Sequence, residues 1–405
     1  MRTRLGWFIL AVALWLVPAS VHAQQNGYYE VPPVHFTGPL SHPRYEDGGF
    51  FVAFDAVVWH MDRRIRNQTV AIRGFVDSDG TATGLVPPAF VGNGQEALNT
   101  EQLRGPSSWT PGFDFSFGWR FESGVVLTAS WIHLADTRYS VSAGPIPPDF
   151  NGGALLENTF LFSPVTNFSP MYAGPRDLPQ SIPPDPINDA TDTALYGIWN
   201  GADNMQIELL QRFDMFTMTA RIPTWQSENC RTYGLIGPRI IVLYERFKWR
   251  TVDLDFLGNG TSVNNARYTN VVSNRLYGVH LGCGTEWFLG EVPILGGFSC
   301  SLDAEAALYG DWVKGRAKYA REDEGTAASR ARNFFRAAPG AEAKLSLWWY
   351  PWEAIQVRIG YNVLGLFNTI ASERPIDFNM GVISPVYNQT NRIFHGFDIG
   401  IGFVF

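Results

Sequence analysis

Residues 394–405 read FHGFDIGIGFVF. From Gly396 onward the positions split between two faces: Phe397, Ile399, Ile401, Phe403 and Phe405 on one, Gly396, Asp398, Gly400 and Gly402 on the other. A period of two is the repeat of a β-strand, whose successive side chains point to opposite faces. One face is oily, the other small or polar. The alternation runs to the last residue, where a water-exposed end would carry loose polar residues. The stretch therefore predicts a strand whose final side chain still meets an apolar medium.

The pattern recurs upstream. In 354–365, Ile355, Val357, Ile359, Tyr361 and Val363 oppose Gln356, Arg358, Gly360 and Asn362. In 113–121, Phe113, Phe115, Phe117, Trp119 and Phe121 oppose Asp114, Ser116, Gly118 and Arg120. In 342–350, Leu345, Leu347 and Trp349 oppose Glu342, Lys344 and Ser346. Weaker versions occur at 50–61, 124–134, 205–218, 235–250, 275–289 and 298–316, the fourth of these drifting in parity as at a bulge. The count is about ten strands, most close to the nine to eleven residues that cross a bilayer when tilted.

Connection lengths alternate. Long links fall at 62–111, 135–204, 251–274, 317–340 and 367–392, and short ones at 122–124, 219–234, 290–297 and 351–352. Outer-membrane barrels join strands by short periplasmic turns and longer external loops. The oily faces are almost free of charge, and Trp59, Trp131, Trp249, Trp287, Trp348, Trp349 and Trp352 gather near strand ends, as interfacial girdles do. The expected fold is all-β: a transmembrane antiparallel up-and-down β-barrel of ten strands, or twelve if a further pair sits in a long loop.

Composition agrees. The chain has 405 residues, 17% charged and 14% aromatic, with a formal net charge of -7. No basic excess exists to meet a nucleic acid. Three cysteines exclude a disulfide framework. Cys283 and Cys300 flank a short turn and form the one plausible pair, against the plainer reading of free, half-buried thiols. Arg2 and Arg4 before the apolar Leu5–Val17, with Val21 and Ala23 at the cleavage-site positions, predict a signal peptide over 1–23. Residues 24–48 then form a periplasmic segment and 49–405 the barrel, placed in the bacterial outer membrane.

Three stretches carry a narrower resemblance: GGFFVAFDAVVW (48–59), NRLYGVHLGCGTEWFLG (274–290) and LDAEAALYGDW (302–312). With Asn274, Gly278 and Gly282 on one strand and Leu308-Tyr309-Gly310 on the next, the chain resembles the Legionella-type pore-forming outer-membrane protein family and its planctomycete relatives. The resemblance spans most of 49–405 and implies a porin-like barrel. The terminal strand resembles the barrel-assembly signal of bacterial outer-membrane proteins, carried here by Phe397, Ile399, Ile401, Phe403 and Phe405.

The polar face of each strand nominates the lumen: Asp55, Asp114, Arg120, Glu208, Arg212, Asp214, Arg246, Lys248, Glu286, Asp303, Glu305, Glu342, Lys344, Arg358 and Asp398, with His280 and Asp311. Ten tilted strands enclose a backbone diameter on the order of 20 Å. Mixed charges in so narrow a tube either pair across it and close it, or line a water-filled pore. The proline-rich 135–204 is loop, read as an external contact surface rather than a constriction. Arg321, Arg330, Arg332 and Arg336 in the 317–340 link are read as a solvated charged loop, with contact to lipid phosphates as the alternative. Asp77-Ser78-Asp79-Gly80 is read as a turn, since no glutamate stands where a calcium loop needs one.

No G-x-S-x-G or H-E-x-x-H is present, and His60, His133, His280 and His395 lie on separate strands. The expectation is therefore no enzyme, no metal and no cofactor. The expected function is passive diffusion of ions or small polar solutes. The alternative is a closed barrel serving as a structural or adhesive surface protein through its long loops. Expected partners are outer-membrane lipid and lipopolysaccharide, the periplasmic assembly machinery and small solutes, with homo-oligomerisation left open.

Overall fold

A computed structural model describes residues 49–77, 86, 89–104, 109–144, 160–167, 198–227, 229–252, 265–322, 325–352 and 354–405. The expected signal peptide, the 24–48 segment, Ser78-Asp79-Gly80 and the proline runs between 145 and 197 lie outside the described residues.

In chain order the strands are β1 (Gly49–Met61), β2 (Thr69–Arg73), β3 (Phe75–Asp77), β4 (Ala89–Val91), β5 (Glu96–Asn99), β6 (Trp109–Arg120), β7 (Val126–Ala143) and β8 (Leu161–Phe162). There follow β9 (Asn200–Ala202), β10 (Asn204–Gln226), β11 (Cys230–Val252), β12 (Asn265–Val292), β13 (Gly296–Arg321), β14 (Gly325–Trp352), β15 (Ile355–Arg374) and β16 (Val386–Val404). Ten of them close a ring in the order β1-β16-β15-β14-β13-β12-β11-β10-β7-β6, with every neighbouring pair antiparallel. Closure is made by β16 against β1, from Phe51 opposite Val404 to Met61 opposite Phe394. A closed ring has no edge strand and satisfies every backbone group within the sheet, the condition for a β-structure in hydrocarbon.

Around the ring the outward side chains form an apolar belt that includes Phe54, Phe117, Leu127, Met218, Ile236, Leu281, Leu308, Leu345, Ile359 and Phe397, all exposed. A water-soluble sheet would bury these side chains. Here the buried residues are on the inside, and the belt is the lipid-facing surface of a transmembrane barrel.

The strands outrun the expectation. β12 and β14 each have 28 residues. At about 3.3 Å per residue and a tilt near 40°, such a strand rises on the order of 70 Å, against an apolar band of about 25 Å. The wall therefore stands well above the membrane. The 317–340 link shrinks accordingly: β13 runs to Arg321, β14 starts at Gly325, and Arg321, Arg330, Arg332 and Arg336 are wall residues. The 219–234 link likewise shrinks, since β10 runs to Gln226 and β11 starts at Cys230. The expected irregularity in 235–250 is absent from β11, whose pairing with β12 runs without a shift. Shifts fall elsewhere in the ring, among them where β10 meets β7 near Gln211 and Phe213 and where β10 meets β11 near Pro223.

The additional strands do not enlarge the ring. β5-β2-β8-β9 form a separate four-stranded sheet and β3-β4 a two-stranded one. The described parts of 62–111 and 135–204 thus build a cap over the barrel's loop end. The expectation that 135–204 stays outside is corrected for those parts, because Leu161, Ile198, Trp199 and Ala202 are buried together with the inner wall. There Trp199 meets Trp249 at 4.4 Å, and its indole donates to Tyr319 Oη at 3.1 Å. Gln68 is fastened to the backbone of Ile376 in both directions, at 2.7 and 3.1 Å.

Candidate functional site

Within the belt, the inward side chains of the strands converge on two arginines. Arg358 of β15 pairs with Asp55 of β1, with Asp398 of β16 at 3.0 Å and with Asp114 of β6 at 3.5 Å. Lys344 of β14 stands 3.7 Å from Asp398. Small residues make room for this cluster. A Cβ on Gly400 would collide with the Asp55 carboxylate, and one on Gly360 would lie 2.6 Å from that of Asp398. Arg239 of β11 donates to Glu305 of β13 at 2.6 Å, pairs with Glu342 of β14 at 2.7 Å and donates through Nε to Thr217 at 3.2 Å. Asn362 donates to the same Glu342 at 2.6 Å. Between the clusters lies a cavity of about 140 Å³ lined by both signs of charge, room for about five waters at liquid density.

Toward the short turns the interior closes again. Glu286 is fully buried and held by Arg231 at 2.7 Å and by the Ser299 hydroxyl at 2.7 Å. Tyr233 donates to Asp303 at 2.5 Å, and the Arg221 guanidinium lies 4.3 Å above the Tyr233 ring.

On the outer side of the charged layer the lumen turns apolar. Val57, Trp59, Phe213, Leu243, Leu276, Tyr309, Leu364 and Phe394, from seven different strands, form one buried cluster. Phe213 meets Trp59 at 5.7 Å and Phe394 at 4.9 Å. Directly above, Arg392 of β16 makes two bonds to Glu245 of β11, at 2.7 and 2.6 Å, while Gln211 donates to the same carboxylate at 2.9 Å. β16 and β11 stand five places apart in the ring of ten, so this pair joins opposite walls. Burial alone would raise the Glu245 carboxyl, but Arg392 and Gln211 outweigh it and hold the group below its ordinary range.

Of the sequence-nominated lumen residues, Asp55, Asp114, Arg120, Glu286, Asp303, Glu305, Glu342, Lys344, Arg358 and Asp398 lie on the inward face of their strands. Glu208, Arg212, Asp214, Arg246 and Lys248 do not, and their assignment is corrected. They alternate with the buried Ile207, Leu209, Phe213, Phe247 and Trp249 and so point outward. There Arg246 pairs with Glu208 at 3.0 Å, Arg212 with Asp136 at 2.7 Å, and His133 with Asp214 at 2.7 Å. The physical reason is their height: above the belt the outside is water, so the polar face of a strand is the outer one.

The sequence reading missed Arg239, beside Pro238; Arg221 and Arg392, in presumed links; and Glu245, in a stretch whose alternation drifts. Cys230, Cys283 and Cys300 are free; Cys283 stands opposite Ala304, and Cys300 opposite Trp287. Among the described residues no group of three or more His, Cys, Asp or Glu is placed to hold a metal ion.

No protein-family model and no curated protein matches the chain, so the resemblance to the Legionella-type family is left without support. Among solved structures, the chain is similar to the outer membrane protease OmpT from Escherichia coli at 8% identity and a TM-score of 0.37, over 88% of this chain and 97% of that one. It is similar to the monoaromatic hydrocarbon channel CymD at 7% identity and a TM-score of 0.23, over 89% of both chains. A FadL homologue from Pseudomonas aeruginosa matches at 10% identity and a TM-score of 0.20, over 88% of this chain and 89% of that one. Likenesses this distant carry no argument about activity.

Proposed function

We propose that the chain is a closed outer-membrane barrel that anchors and displays its capped outer end, acting at the bacterial surface as a structural or adhesive protein. The observation that carries this reading is the Arg392–Glu245 pair, which bridges opposite walls directly above an apolar layer drawn from seven strands. A hydrated ion crossing that layer would shed water against the side chains of Trp59, Phe213, Leu364 and Phe394, which replace little of its hydration. The cap packed over the layer adds a second closure.

Passive diffusion of small polar solutes is the second reading, and the charged cavity of about 140 Å³ favours it. It requires the cap and the Arg392–Glu245 pair to part. Folded protein in a planar bilayer distinguishes the two. The closed reading expects a silent membrane at moderate voltage, with folding verified by heat-modifiable gel mobility. Stepwise conductance from the same preparation would overturn it in favour of the pore.

A further inference from the structure

Above the belt the outer face of the wall is not uniformly polar. On β11 the outward positions after Tyr244 are Arg246, Lys248 and Arg250. On β13 they are Lys314, Arg316 and Lys318, and between these strands β12 contributes Arg267 and Arg275. Register places them side by side: Arg246 and Arg316 flank Val271, Lys248 and Lys318 flank Thr269, and Arg250 faces Arg267. Neighbouring strands are about 4.8 Å apart and successive outward residues about 7 Å, so eight cations share a patch three strands wide.

Among the described residues the patch is undersupplied with anions. Arg246 has Glu208 and Arg250 has Glu322. Lys248, Arg267, Arg275, Lys314, Arg316 and Lys318 have no ion pair among the described residues. A merely solvated rim would mix its signs. At the other side of the ring the outward residues above Ile393 on β16 are Asn391 and Gln389, which carry no charge.

The lower border fixes the depth. One outward position below Lys314 stands Trp312, which meets Tyr277 at 5.5 Å and Phe335 at 4.7 Å. Below these come the exposed Leu308, Val279 and Leu281. Aromatics of this kind sit at the lipid–water boundary, so the cations begin at headgroup level and rise above it. We propose that the outer face of β11–β13 is a binding site for a phosphorylated glycolipid of the outer leaflet. Its acyl chains would lie along Leu308, Val279 and Leu281, and its phosphates would be bound by Lys314, Arg316, Lys318 and Arg275. Arginine and lysine on one face supply the forked and point-charge contacts that phosphate oxygens accept.

This inference rests on the outer-membrane placement but not on whether the lumen is closed. The test titrates folded full-length protein in neutral detergent micelles with a diphosphorylated outer-membrane glycolipid and with the same lipid after dephosphorylation. The phosphorylated form is expected to bind at least tenfold more tightly, with affinity falling as salt rises. Replacing Lys314, Arg316 and Lys318 together by glutamine is expected to remove that preference, while Arg138→Gln on β7 leaves it intact. Equal affinity for the two lipids overturns the proposal, a readout that needs no variant to fold. Retention of the preference in a folded triple variant overturns it as well. Binding of phosphatidylglycerol micelles with the same affinity and salt dependence would show a general anion surface and reject the glycolipid.

Discussion

Arg358 shows what one side chain contributes inside a barrel. It stands 15% exposed among Asp55, Asp114 and Asp398. Removing it leaves three carboxylates facing one another with only Lys344 nearby. Arg358→Ala should therefore destabilise the folded barrel by about 3–5 kcal/mol, the cost of orphaning a buried pair. Glu208→Ala, which removes the partner of Arg246 on the water-facing outer wall, should cost no more than about 1 kcal/mol. Urea unfolding of both variants in micelles measures the contrast, and equal losses would contradict the inward and outward assignments. Glu245 makes a related case with a pH signature. Because Arg392 holds its folded-state pKa below the unfolded value, its stabilisation is present above the ordinary carboxylate pKa of about 4.3 and is lost as pH falls through the folded value. Between about pH 7 and pH 3, the wild-type unfolding midpoint should fall more steeply than that of Glu245→Gln. Parallel curves would show that the pair contributes nothing.

At the scale of the element, each long strand changes its meaning partway along. On β10, Thr217 faces in and Phe216 and Met218 face out, because the outside is lipid. Further toward the loops on the same strand, Met205, Ile207 and Leu209 face in, while Gln206 and Glu208 face out, because the outside is water and the inside is packed against the cap. The period of two survives, but the polar face swaps sides. This swap is why the alternation was legible at 394–405 and 113–121, which lie in the belt, and misleading at 205–218 and 235–250, which cross its upper edge. Arg358, Asp55 and Asp398 were readable as interior groups from their own strands. Arg392 was not, since its strand continues into what reads as loop. The swap predicts a sharp positional rule on the outer face. Leu308→Arg in the belt should cost about 2–4 kcal/mol. Ser329→Arg, exposed on β14 above the belt, should cost almost nothing. Folding yields into vesicles, scored by heat-modifiable mobility, will separate the two.

At the scale of the whole molecule, alternating apolar and polar positions, linked by alternating short and long connections, already determined a membrane-spanning antiparallel barrel of ten or twelve strands. That information is local, because each residue's face is decided by its neighbours two positions away and by the medium outside. What stands in the middle of the barrel is not local. The Arg392–Glu245 pair joins residues 147 apart in sequence, and Gln68 is fastened to Ile376 across 308. No strand pattern announces such contacts, because they depend on how far opposite walls stand apart and on which loops fold between them. The apolar layer, the cap over it and the cationic outer face of β11–β13 were therefore decided only when ten tilted strands closed into one wall and brought distant side chains to the same height.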